Sequence, residues 1–208
     1  MRAQTNLEER WNTLTHGFAA ILGVLGLLLM LLRMDAQKPW SIFSVVVYGL
    51  SIIILFTAST LYHYSRDPRA KARYRIVDHI SIYLLIAGTY TPVLLLGLSD
   101  SKGWMLFAIV WGIAILGMVL KLFFTGKFEI LSTLLYLVMG WLIVFDFNKV
   151  SQFLGPEGVL WLFAGGLFYT VGIVFYAIQR IPFNHVIWHI FVLAGAFCHF
   201  IMIYSYVL

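Results

Sequence analysis

The chain has 208 residues, 62% of them hydrophobic and 11% charged, where soluble domains carry about 25% charged residues. A soluble domain of this size cannot bury that much apolar surface, because much of its exterior must face water. This excludes a water-soluble globular protein, a disordered chain and a nucleic-acid-binding module, and the net charge of +5 falls in short basic runs between apolar segments, as in the cytoplasmic loops of membrane proteins. Cys198 is the single cysteine, so a disulfide framework, a Cys-based zinc motif and a CxxC redox pair are excluded too.

A helix that crosses a bilayer needs ~20 mostly apolar residues. Seven stretches qualify, at roughly 17–32, 40–63, 76–97, 104–120, 129–147, 158–179 and 184–208. The chain is therefore predicted to be an all-α, seven-transmembrane-helix bundle forming one membrane domain over 1–208. Residues 1–16 serve as a cytoplasmic interfacial N-terminus. The first apolar run lacks a small-residue cleavage site, so it is expected to be retained as a span. Orientation follows from the basic residues. If the dense run Arg66, Arg69, Lys71, Arg73 and Arg75 is cytoplasmic, so are Arg2, Arg10, Lys121, Lys127 and Arg180, which leaves Arg33, Lys38, Lys102 and Lys149 outside. The positive-inside rule then places the N-terminus in the cytoplasm and the C-terminus outside. A multi-pass protein of the cell membrane, most simply a bacterial plasma membrane, is expected. Pro92, well inside the third span, is expected to kink it.

Ionisable groups inside spans are costly and mark function. The interiors of spans four, five and six, roughly 105–120, 130–145 and 158–178, contain none. All six histidines, His16, His63, His79, His185, His189 and His199, belong to the N-terminus or to spans one, two, three and seven. His63 closes the second span, Asp78 and His79 open the third, and His185 and His189 open the seventh. At ~1.5 Å per residue, His63, Asp78, His185 and His189 lie within about 10 Å of one membrane face. His185 and His189 are four apart and share a helix face, so they can grip one ion; Ser59 and His63 have the same spacing. Three neutral imidazoles with a water make the open, catalytic type of zinc site. Asp78 could ligate directly or hold the water. His79 points away from Asp78 around the helix, which suits packing or an interfacial hydrogen bond. His199 lies about 15 Å deeper than His189, as a hydrogen-bonded interior histidine or a cavity wall. Glu9, Asn12 and His16 share one helical face, either as a solvated amphipathic lead-in or as a lid over the mouth of the site.

Several of these residues form a signature: Glu9-x-x-Asn12-x-x-Thr15-His16, Ser59-Thr60-Leu61-Tyr62-His63, Asp78-His79 leading into Ala87-Gly88-Thr89-Tyr90-Thr91-Pro92, and His185-x-x-Trp188-His189 continuing to His199. The chain resembles the hemolysin III proteins, the bacterial branch of the progestin and adipoQ receptor family, which includes the adiponectin receptors. The motifs run in order from end to end of the chain, without the receptors' long soluble N-terminal domain. The resemblance implies a seven-helix bundle with Zn²⁺ near the cytoplasmic face, held by His63, His185 and His189, with Asp78 acting on the water of the zinc. The wider superfamily includes the alkaline ceramidases, which share the Ser-x-x-x-His, Asp and His-x-x-x-His pattern and hydrolyse an amide in a membrane lipid.

By that likeness the expected function is zinc-dependent hydrolysis of a lipid amide or ester, with Asp78 and Ser59 in catalytic roles, or lipid sensing on the same site for membrane homeostasis. The expected partner is a membrane lipid or free fatty acid within the bundle. Three alternatives stand beside it. A pore, transport or haemolytic protein would need polar or broken-helix elements near the midplane. Haem ligation would need imidazoles facing each other from different helices. A receptor-like scaffold would use its zinc structurally.

Overall fold

The computed structural model describes residues 4–208 and is all-helical, with no strand among the described residues. Arg2, counted above among the cytoplasmic basic residues, lies outside the described residues. The helices are α1 (Asn6–Arg33), α2 (Ser41–Tyr64), α3 (Pro68–Pro92), α4 (Gly103–Phe124), α5 (Glu129–Trp141), α6 (Phe147–Ala177) and α7 (Asn184–Tyr206).

Local signals explain where they begin. Thr5 and Glu8 form a reciprocal capping box at α1: the Thr5 hydroxyl accepts from the Glu8 N–H, and the Thr5 N–H donates to the Glu8 carboxylate, which satisfies two donors a bare helix start leaves open. Asp67 accepts from the Ala70 N–H at 2.7 Å, and Pro68, lacking an N–H, takes the first position of α3. The expected disturbance at Pro92 takes a definite form. Instead of a simple kink, α3 passes there into one turn of π-helix, Val93–Gly97.

Six helical segments among the described residues are long and apolar enough to cross a membrane. The stretch 129–177 counts as one of the six, because α5 runs through a 3-10 turn, Leu142–Asp146, straight into α6. Its interior is not uniform. Gly155 has φ 67°, a left-handed conformation that a side chain disfavours, and Pro156 follows, so α6 breaks between Leu154 and Pro156.

Side chains are sorted for lipid rather than water. Ile21, Leu25, Leu28 and Leu32 of α1 are exposed, while Gly23, Gly26 and Met30 on its other face are buried. Apolar residues outside and small residues at helix contacts are what a bilayer selects. α1 packs on α2 and α7, α2 on α3, α3 on α4, and α7 on α6; α5 closes the ring with lighter contacts to α3, α4 and α6. At Gly88 the α2–α3 contact is so close that a Cβ would collide with Ser51. This ring brings the start of α1, the end of α2 and the starts of α3, α5 and α7 to one end of the bundle.

Candidate metal centre

At that end the three histidines converge. His63, from the last turn of α2, and His185 and His189, from the first two turns of α7, offer ring nitrogens that all lie within 4.8 Å of one another. Their ring centroids are 4.7 to 5.2 Å apart. His63 and His189 are buried and His185 is partly buried. These residues could hold a metal ion.

The state of their nitrogens fits that use. His63 Nδ1 lies 2.6 Å from Glu9 Oε2. The carboxylate can only accept, so Nδ1 carries a proton, and in the neutral ring Nε2 is the lone pair. That Nε2 is buried with no hydrogen-bond partner, and His189 Nδ1 is in the same condition. Buried polar atoms without partners are uncommon and call for an explanation; three clustered imidazoles are a donor set that could hold a metal ion. A carboxylate behind a histidine, as Glu9 is here, fixes ring orientation and raises basicity, which would suit the ring to a metal ion. Glu9 is itself held by Lys71 Nζ at 2.7 Å.

α1 supplies the rest of the lid. Its polar face is not solvated: Asn12 is fully buried, with Nδ2 3.5 Å from His63 Nδ1. His16 stacks flat on His189, centroids 3.6 Å apart and planes 5° from parallel, with its edge on Phe56. The N-terminal segment is thus one unbroken helix with the first span, and it covers the site.

Asp78 is partly buried and interacts with His63, Ser59 and Arg75. Both Asp78 and Ser59 line a cavity that also takes in His16, His185 and His189. The cavity runs down between α3, α5, α6 and α7, and its walls are mostly apolar or aromatic side chains. His79, next in sequence to Asp78, faces a different partner. Its Nδ1 is 3.9 Å from Glu129 Oε1, and Glu129 also meets Arg75 at 3.4 Å and Lys121 at 3.2 Å. His199 lies at the far end of the cavity, with Nε2 3.2 Å from the Leu162 carbonyl oxygen.

Several contributors escape a reading of the sequence alone. Glu8, which looks like a surface acid, is 2% exposed, and its Oε1 accepts the Phe183 N–H at 3.0 Å. It thereby ties the start of α1 to the start of α7, where Phe183 has a left-handed φ of 56°. The Thr5-x-x-Glu8 capping box is the only local signal for it. Lys121, expected in a cytoplasmic loop, is 2% exposed and paired with Glu129; the two join α4 and α5 eight residues apart, a pairing with no periodic signature.

A helical, multi-pass membrane protein with a histidine cluster roofed by its own first helix is the class these features define, and in a bacterium its place is the plasma membrane. The haemolysin-III related family matches residues 4–200, and the chain belongs to that family. It is 42% identical to "Hemolysin-3" of Bacillus cereus over 97% of this chain and 92% of that protein. Identity to "Hemolysin-3 homolog" of Bacillus subtilis (strain 168) is 41%, over 96% and 94%. The human "Monocyte to macrophage differentiation factor" is 29% identical over 97% of this chain and 85% of its own length.

Proposed function

We propose that this protein is a zinc-dependent hydrolase acting on the amide or ester bond of a membrane lipid, with His63, His185 and His189 as the metal ligands. The observation that carries the proposal is the pairing of unpartnered imidazole nitrogens with Asp78 and Ser59 at the top of a long apolar cavity. Zinc in that position supplies Lewis-acid chemistry, polarising a carbonyl and lowering the pKa of a water toward ~7. The Asp78 carboxylate accepts a proton from the attacking water and returns it to the leaving amine or alcohol. The Ser59 hydroxyl donates a hydrogen bond to the carbonyl oxygen as charge builds on it. Glu9 holds the His63 ring in register, and the cavity below keeps the acyl chain dry and receives the released fatty acid.

The proposal includes a seven-span topology with the N-terminus in the cytoplasm. The reversal of direction after the Gly155–Pro156 break supports it, since Tyr206 near the end of α7 donates to Glu157 while Asn184 at its start donates to the Phe175 carbonyl. A cysteine placed at Ala70 should react with an impermeant reagent only in broken cells; labelling in intact cells would invert the assignment.

The chemistry is tested by fatty-acid release from a panel of lipids, with a chelated control. Asp78→Asn should keep its zinc and lose nearly all turnover, because an amide cannot accept the proton. Ser59→Ala should keep zinc and lose about 10²–10³ in rate. Equal trace release by wild type and Asp78→Asn on every lipid rejects the hydrolase and leaves lipid sensing on a structural zinc. The pore reading, prompted by the names of the bacterial relatives, predicts conductance in protein-containing liposomes; the apolar far end of the cavity argues against it.

A further inference from the structure

Away from the histidines the cavity adjoins a second, smaller chamber, and the two share six wall residues: Thr89, Tyr90, Gly140, Trp141, Gly166 and His199. Beyond this waist the walls are apolar, formed by Val93, Ile143, Leu162, Phe163 and Met202.

The waist is held rigidly. The Tyr90 hydroxyl donates to the Gly140 carbonyl at 2.9 Å and accepts the Ile143 N–H at 3.0 Å. Trp141 Nε1 donates to the Thr170 hydroxyl, which donates to the Gly166 carbonyl. His199 is anchored on Leu162 O. Aromatic rings fixed in this way cannot swing aside to admit a wider or branched group. Two of the six shared residues, Gly140 and Gly166, have no side chain. A Cβ added at Gly140 would meet nothing within 4 Å, and one at Gly166 would first meet Trp141 Cζ2, at 3.8 Å. Larger side chains at these positions would enlarge two of the residues that the two chambers share.

Depth gives the waist a meaning. His199 is about 15 Å along α7 from His189, half of the ~30 Å hydrocarbon core and so the depth of one leaflet. We propose that the waist is a chain-length gauge: an unbranched acyl chain with its head at the histidines threads its last carbons between Gly140 and Gly166 into the smaller chamber. Chains long enough to fill that chamber are preferred, because a shorter chain leaves its walls without contact partners. This rests on the lipid reading above and names the part of the lipid that the site selects.

The test measures binding of a homologous series of saturated fatty acids, octanoate to icosanoate, to the full-length protein in nanodiscs by displacement of a fluorescent fatty acid. Wild-type affinity should keep rising for chains that extend past the waist. Gly166→Leu should bind the short members like wild type and lose about tenfold or more on the long ones, the scale of overpacking an enclosed apolar site. Gly140→Leu should repeat that pattern from the opposite wall, which guards against a folding defect in either variant. Met202→Ala, at the floor of the smaller chamber, should move the optimum to longer chains. The gauge is overturned if wild-type affinity levels off before the waist, or if both leucine variants weaken every length equally while keeping the wild-type melting temperature. Length-independent binding by wild type rejects the gauge and spares the lipid reading. No binding of any member rejects both.

Discussion

The two ends of the cavity treat their polar groups in opposite ways. At the histidine end, His63 Nε2, His189 Nδ1, His79 Nδ1 and both nitrogens of His16 have no hydrogen-bond partner in the protein. At the waist, the Tyr90 hydroxyl makes two hydrogen bonds, Trp141 and Thr170 one donation each, and only His199 Nδ1 is left over. Both places are buried and both are rich in aromatic rings, so burial alone does not separate them. Unused bonding capacity does. A membrane interior makes unpaired polar groups costly, and this fold tolerates them in number at the end where three histidines could hold a metal ion.

Breaking the histidine end should have the largest effect. We expect His63→Ala, His185→Ala or His189→Ala to abolish zinc binding while His199→Ala retains about one zinc per chain, as measured by metal analysis of purified protein. Full occupancy in His189→Ala would remove that residue from the ligand set. Glu9→Ala should follow, with zinc affinity down about 10–100-fold through the loss of the group that orients His63; competition with a chelator of known affinity reads this out. The waist should respond in the opposite currency. Tyr90→Phe strips the Gly140 carbonyl and the Ile143 N–H of a partner, so it should cost about 1–3 kcal/mol of stability in thermal unfolding and leave zinc affinity unchanged. A drop in zinc affinity there would show that the two ends are coupled. Lys71→Met should matter least. Its pair with Glu9 is partly exposed, an interaction of about 0.2–1 kcal/mol, and its effect on zinc affinity should be a fraction of that of Glu9→Ala.

Much of the metal centre was legible in the sequence because it is built from short-range periodicity. His185 and His189 share a face through the four-residue spacing, and His63 and Asp78 could be brought to the same level by counting residues from the ends of their spans. The same counting correctly separated His199 from the cluster. The α1 face was harder. Glu9, Asn12 and His16 were visible as one stripe, but amphipathicity looks the same whether the polar side meets water or three histidines. Their burial follows from α1 packing on both α2 and α7, a contact between segments far apart in the chain. The boundary between α5 and α6 is a different case. Hydropathy divides 129–147 from 158–179, whereas the backbone stays helical through the interval and breaks only at Gly155.

By itself the sequence determined that the chain lives in a membrane, that it is helical, and that His63, His185 and His189 lie at one level of the bundle, because each of these depends on composition or on the fixed rise of a helix. Only the tertiary structure decided which groups the two acids at the start of α1 engage. Glu9 reaches His63 across 54 positions of chain and Glu8 reaches Phe183 across 175, and no periodicity records such distances. The cavity and its waist were decided there too. Gly140 and Gly166 resemble the other small residues of the spans, and what sets them apart is their place in the wall that the two chambers share.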